Sequence, residues 1–187
     1  MIVKESGIDF IFDSEYTVVK FDDTDFYRHK FSNSLPNGKG VDFIAMSDKS
    51  LILLEVKNCL GYEKDNMWRT QAGKQTDKGE TFDVEIAKKV ASTIACISGA
   101  NTFQNNSLKE ADDLKPYFDF FNAMKKGKKT IYVVLFLEGD FKLASRDKKM
   151  IMKSIHSKIN AYLKWLTCNI LVIDSNINNN LFKTQIN

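Results

Sequence analysis

Gly40-Val41-Asp42-Phe43-Ile44-Ala45-Met46, then Ser47-Asp48-Lys49-Ser50, then Leu51-Ile52-Leu53-Leu54-Glu55-Val56-Lys57-Asn58 is the stretch whose reading decides the fold. Both apolar runs have the length of a strand, and the polar residues between them make a turn. A hairpin centred between Asp48 and Lys49 puts Ile44 opposite Leu53 and Asp42 opposite Glu55. Side chains alternate along a strand, so Lys57 shares the face of Asp42 and Glu55. The other face carries Val41, Phe43 and Ala45 with Ile52, Leu54 and Val56. Even the charged face turns apolar towards the turn, so both faces read as covered and three charges sit at one end of a buried ladder.

Two carboxylates directly opposite each other repel, and burial makes the arrangement costlier. A hard divalent cation, Mg²⁺ or Mn²⁺, relieves the repulsion, because such ions bind through one or two carboxylates plus phosphate and water. Lys57 beside them can neutralise charge developing on a phosphate or orient a water. The three residue types together make a site suited to phosphodiester hydrolysis, with Asp42, Glu55 and Lys57 as candidate catalytic residues. The competing reading is an ion-pair cluster at a sheet edge. Glu55-Val56-Lys57 is the only Glu-x-Lys in the chain. Asp113-Leu-Lys115, Asp140-Phe-Lys142 and Asp147-Lys-Lys149 are near matches, and none follows an apolar strand with a second acid on the strand before.

Outward from the hairpin, Tyr16–Phe21 and Phe26–Phe31 read as short strands around an acidic turn, and Ser32–Gly40 as a loop. The polar stretch Asn58–Thr81 reads as a long loop of the kind that carries function. A helix is expected over Asp83–Ser98, with Ala87, Val90, Ala91, Ile94 and Ala95 as its apolar stripe. Leu108–Lys126 reads as helical, with Pro116 starting or bending a segment. Thr130–Leu137 is a strand, Arg146–Leu166 a helix and Asn169–Asp174 a last buried strand. Antiparallel strands followed by alternating strands and helices predict an α/β fold, a mixed sheet flanked by helices. One domain over residues 1–187 is the simplest account, with 176–187 as a loosely ordered tail.

Composition narrows the class. With 43% apolar and 27% charged residues, the 187-residue chain is of ordinary globular type. Three widely spaced cysteines and no CxxC argue against a zinc site or a disulfide framework and suit a reducing compartment. The N-terminal residues lack the apolar run of a signal peptide and no stretch is long enough to span a bilayer, so a cytoplasmic location is expected. The net charge of +3 divides unevenly: residues 121–187 carry 12 Lys/Arg against 4 Asp/Glu, whereas residues 1–120 carry 15 against 20. A basic C-terminal third can attract a polyanion, although a merely solvated face has the same composition.

Val41-Asp42, twelve intervening residues and Glu55-Val56-Lys57 resemble the signature of the PD-(D/E)XK nuclease superfamily, with Val41 in place of the motif proline. A wider likeness to small bacterial proteins of that superfamily runs through Glu5-Ser6-Gly7, Phe26-Tyr27-Arg28, Ala87-Lys88-Lys89-Val90 and Leu135–Glu138. The resemblance implies a restriction-endonuclease-like core, with Asp42, Glu55 and the Val56 carbonyl holding Mg²⁺ or Mn²⁺ and Lys57 as the catalytic lysine. The resemblance supplies no established substrate; nucleic acid, DNA ahead of RNA, is the expected one, with a second copy of the chain or an activating protein as further candidate partners.

Many enzymes of that superfamily take another acid from an N-terminal helix. No long amphipathic helix precedes the first strand here, which leaves Glu5, ahead of Asp13 and Glu15. Glu85 and Lys89, at i,i+4 and away from the expected apolar stripe, read as a surface ion pair, with Lys89, or Lys88 at the edge of the stripe, reaching a phosphate as the alternative. Arg28 can contact substrate or pair with Asp22 or Asp25. Trp68 and Arg69 can stack on a base or track a phosphate, or Trp68 can cap the core. Lys148, Lys149, Lys153 and Lys158 point outwards from the expected C-terminal helix, a backbone-binding face for nucleic acid or a soluble one.

Overall fold

The computed structural model describes residues 1–187 apart from 75, 104–108, 125–128 and 144. It is a mixed α/β structure in three layers: helices, a five-stranded sheet, and a second, three-stranded sheet.

The five-stranded sheet has the order β3 (Thr17–Lys20), β4 (Phe43–Met46), β5 (Ser50–Asn58), β6 (Thr130–Glu138), β7 (Asn169–Ile173). β4 is antiparallel to both its neighbours, β3 and β5, while β5, β6 and β7 run parallel. The hairpin register is the expected one, with Phe43 opposite Leu54, Ile44 opposite Leu53 and Met46 opposite Leu51. Its turn is closed by Ser47: the backbone N–H donates to the Ser50 carbonyl at 2.8 Å, and Oγ accepts from the Ser50 N–H at 3.1 Å.

Alternation sends the two faces of this sheet into different cores. Ile44, Leu51, Leu53, Ile131, Val133 and Leu135 pack under the helices. These are α3 (Phe82–Phe103), α4 (Lys115–Ala123) and α5 (Lys148–Tyr162), after two one-turn helices, α1 (Ser32–Ser34) and α2 (Glu63–Asn66). Phe43, Ala45, Ile52, Leu54, Val134 and Phe136 face the second sheet. That sheet is β1 (Ile2–Glu5), β2 (Ile8–Ile11) and β8 (Lys183–Ile186), all antiparallel. Phe10 of β2 anchors it, with ring centroids 5.1 Å from Phe136 and 5.5 Å from Phe182.

Several local expectations need correction. The second sheet was not foreseen, although Ser6-Gly7 makes its tight turn; both residues have positive φ, 51° and 77°, as a two-residue hairpin loop requires. The expected loose tail 176–187 instead buries Leu181 and Phe182 and supplies β8. Phe26–Phe31 is not a strand: Tyr27–Phe31 form a π-helical turn, with the Tyr27 ring 5.0 Å from Phe21. The apolar stripe of α3 is rotated from the expected one. Phe82, Ile86, Val90, Cys96, Ile97 and Ala100 are buried, while Ala91 and Ala95 are exposed. Alanine is cheap to expose, so it marks a helix face poorly.

The loop 58–81 is partly helical, at Glu63–Asn66 and Met67–Thr70. Pro116 lies in the first turn of α4, where its missing N–H costs nothing; positions 108, 125 and 126 of that expected helix lie outside the described residues. α5 is shorter than expected and is N-capped by Asp147, whose carboxylate accepts the Met150 N–H at 2.8 Å. Among the described residues no helix is long and apolar enough to cross a membrane.

A candidate active centre at the end of the hairpin

The hairpin opens at the end where β4 begins and β5 finishes, and α3 crosses over that opening. Asp42 precedes β4 and is fixed by its backbone, donating its N–H to the Leu54 carbonyl at 3.1 Å and accepting the Phe21 N–H at 2.9 Å. Its carboxylate Oδ2 accepts the Val56 N–H at 2.8 Å. The preceding residue is tied to α3, since the Val41 N–H donates to Thr93 Oγ1 at 3.0 Å. Gly40 is needed for this approach: a Cβ there would lie 2.3 Å from the buried Phe21 ring.

Glu55 has no solvent exposure, and its Oε1 receives two ammonium groups, Lys89 at 2.6 Å and Lys57 at 2.7 Å. Lys89 also approaches Asp42 Oδ1 at 3.4 Å. An ammonium this near to both acids bounds the separation of those two oxygens at about 6 Å, within reach of one cation with ~2.0–2.6 Å ligand distances after small side-chain movements. Glu55 Oε2 is buried with no hydrogen-bond partner. An orphaned, buried carboxylate oxygen is the kind of atom a cation or a bound water satisfies.

A third acid closes the network. Glu85, on the first turn of α3, takes Lys57 at 2.9 Å through Oε1 and Arg69 through Oε2. Arg69 also lies 4.4 Å above the Phe82 ring. Three acids therefore face three cations.

The electrostatics follow from burial and neighbours. Burial, with the Asp42 charge adding to it, pushes the Glu55 carboxyl above its ordinary pKa against the pull of Lys57 and Lys89. Burial works against the Lys57 ammonium, but Glu55 and Glu85 outweigh it and hold its pKa above the usual lysine value. Burial would raise Glu85 as well, but Lys57 and Arg69 outweigh it and its carboxyl sits below the ordinary range.

Asp42, Glu55 and Lys57 thus come together as the hairpin register requires. Lys89 joins them instead of forming the expected surface pair with Glu85. It is 9% exposed because α3 turns residues 82, 86, 89 and 93 towards the sheet. That 3.6-residue spacing, with one lysine in it, is the signal in the sequence that could have placed it. Glu85 was missed as a member of the centre.

Other candidates lie elsewhere. Glu5 is held by Lys20 at 3.1 Å and by the Ser6 hydroxyl, not by the centre. Arg28 sits on the helical turn rather than a strand and pairs with Asp23 at 3.5 Å, not with Asp22 or Asp25. Lys148 is not free for a ligand. It lies 2.5 Å from Asp174 and 3.6 Å from Glu138, two nearly buried acids at the ends of β7 and β6. Lys149 and Lys153 are exposed. Trp68 and Arg69 line a cleft of about 520 Å³ that shares Glu85 and Lys89 with the centre.

Among the described residues no three His, Cys, Asp or Glu side chains converge as a metal-ligating group. A cation here would rest on the Asp42–Glu55 pair, the Val56 carbonyl, and water or phosphate. That donor set is of the Mg²⁺ type.

Residues 24–185 match a protein-family model described as a family of unknown function (DUF6661). No curated protein and no solved structure matches the chain.

Proposed function

The chain belongs to that family of unknown function, DUF6661, so its chemistry has to be read from its own site, and we propose a metal-dependent nuclease that hydrolyses phosphodiester bonds, with DNA as the expected substrate. The observation that carries the reading is the orphaned, fully buried Glu55 Oε2 beside Asp42, with Lys57 within ion-pair distance of Glu55.

We read the β4–β5 hairpin, the parallel β6 and β7, and α3 across the hairpin's open end as a restriction-endonuclease-like core. Asp42, Glu55 and the Val56 carbonyl would hold Mg²⁺ or Mn²⁺, which supplies Lewis acidity towards a phosphoryl oxygen. Lys57 places its ammonium where charge develops on the scissile phosphate, and donors of this kind act on the transition state more than on binding. Glu85 positions Lys57, and Arg69 holds Glu85 in place. Exposed Lys149 and Lys153 give a polyanion a surface to follow.

A second reading has a specific observation behind it. Asp42, Glu55 and Glu85 are already balanced by Lys57, Lys89 and Arg69, so the cluster is neutral without a metal. That balance favours a non-catalytic nucleic-acid-binding or assembly subunit that keeps the fold.

Cleavage of plasmid and single-stranded DNA in Mg²⁺ or Mn²⁺, wild type beside Lys57→Ala, separates the two. The nuclease reading expects metal-dependent cleavage and a loss of about 10²–10³ in rate in the variant with binding retained. Equal cleavage by both proteins, or none by wild type, counts against it.

A further inference from the structure

We propose that the cleft beside the centre seats one unpaired nucleotide, so that the chain takes single-stranded nucleic acid in preference to intact duplex. The choice of polymer rests on the nuclease reading; the shape and lining of the cleft do not.

The cleft of about 520 Å³ falls in the ~300–1,000 Å³ range of small-ligand pockets, the scale of a nucleotide. Glu85 and Lys89 form the wall between cleft and centre, so a nucleotide seated here is joined through its own backbone to a phosphate at Asp42 and Glu55.

The lining suits a base and a phosphate. Trp68 is half-buried and lines the cleft, whereas its neighbour Met67 is the residue that packs against the core. Gly79 meets the edge of that ring: a Cβ there would stand 3.4 Å from Trp68 Cη2. The indole meets Gly79 at its edge and has the Arg69 guanidinium 6.0 Å from its ring centroid, and every base has a face to stack on an aromatic ring. Arg69 is committed to Glu85, and Lys88 to Glu80. Lys39 and Lys78 are exposed at the cleft, and among the described residues neither pairs with an acid. They are the cations left over for phosphate.

The test is a fluorescence titration in chelator, which needs no cleavage, with a short oligothymidylate and a blunt duplex of equal nucleotide count. A Trp165→Phe background isolates the Trp68 signal, since Trp165 is itself 58% exposed. The single strand should bind more tightly than the duplex and quench Trp68. Trp68→Ala should weaken it roughly 5- to 150-fold, the range for losing one stacked base. Trp68→Phe should retain most of the affinity. Lys39→Ala with Lys78→Ala, at exposed positions, should lower both affinity and its salt dependence. Duplex bound as tightly as single strand, or single-strand affinity untouched by Trp68→Ala, overturns the proposal. The two readings fail separately. Trp68-dependent binding without cleavage in Mn²⁺ removes the nuclease and keeps the cleft; duplex cleavage unaffected by Trp68→Ala removes the cleft and keeps the nuclease.

Discussion

Lys89→Met removes the ammonium that stands between the two acids while keeping the length and apolar stem of the side chain. Lys89 lies 2.6 Å from Glu55 and 3.4 Å from Asp42, and Glu55 is fully buried. Breaking a buried pair by removing one partner costs roughly 3–5 kcal/mol. Lys57 remains 2.7 Å from Glu55 in the variant, so the lower end, ~3 kcal/mol, is expected. For a domain of this size that lowers Tm by about 6–12 °C. A cation bridging Asp42 and Glu55 would occupy the position this ammonium holds, so in the variant it binds without that competitor. Millimolar Mg²⁺ or Mn²⁺ should therefore stabilise Lys89→Met by about 2.7 kcal/mol at a hundred times its dissociation constant, and add less to wild type, where the ammonium competes. The assay is urea denaturation of both proteins in chelator and in metal. A loss under ~0.5 kcal/mol, the size of an ordinary surface change, would show that Lys89 is no counter-ion. An equal metal response in both proteins would show that ammonium and cation do not share a site.

Gly40→Ala should destabilise the chain by ~1–3 kcal/mol in urea denaturation, the usual cost of overpacking, because its new methyl meets the buried Phe21 ring at 2.3 Å. A neutral result would mean that the turn before Asp42 is free to move. Lys149→Glu with Lys153→Glu should weaken nucleic-acid binding and reduce the slope of log K against log salt by roughly two, read from titrations at several salt concentrations. Lys148→Met should act differently, lowering stability with little change in that slope, since Lys148 serves Asp174 and Glu138.

The centre was legible where one element fixed another. The β4–β5 register follows from a short polar turn and two apolar runs, and it alone aligns Asp42 with Glu55 and Lys57. The rest depended on rotations and long-range packing. Counting Ala87, Ala91 and Ala95 as apolar turned the α3 stripe away from the sheet and sent Lys89 to the surface. The true stripe includes Lys89 and Thr93, polar residues buried only because Glu55 and the Val41 N–H await them. Tyr27, His29 and Phe31 alternate with Arg28 and Lys30 as a strand would, and a short run cannot separate that pattern from a helical turn. The second sheet was hidden because β8 finds β2 across almost the whole chain, and each of its strands is only four residues long.

The central claim is that Asp42 and Glu55 share a divalent cation, and crystals grown in Mn²⁺, measured for anomalous scattering, test it most directly. The account predicts one anomalous peak at ~2.0–2.6 Å from a carboxylate oxygen of each acid, with the Lys89 ammonium displaced from Glu55. Crystals in millimolar Mn²⁺ with no peak there, and Lys89 still bridging the two acids, would contradict it.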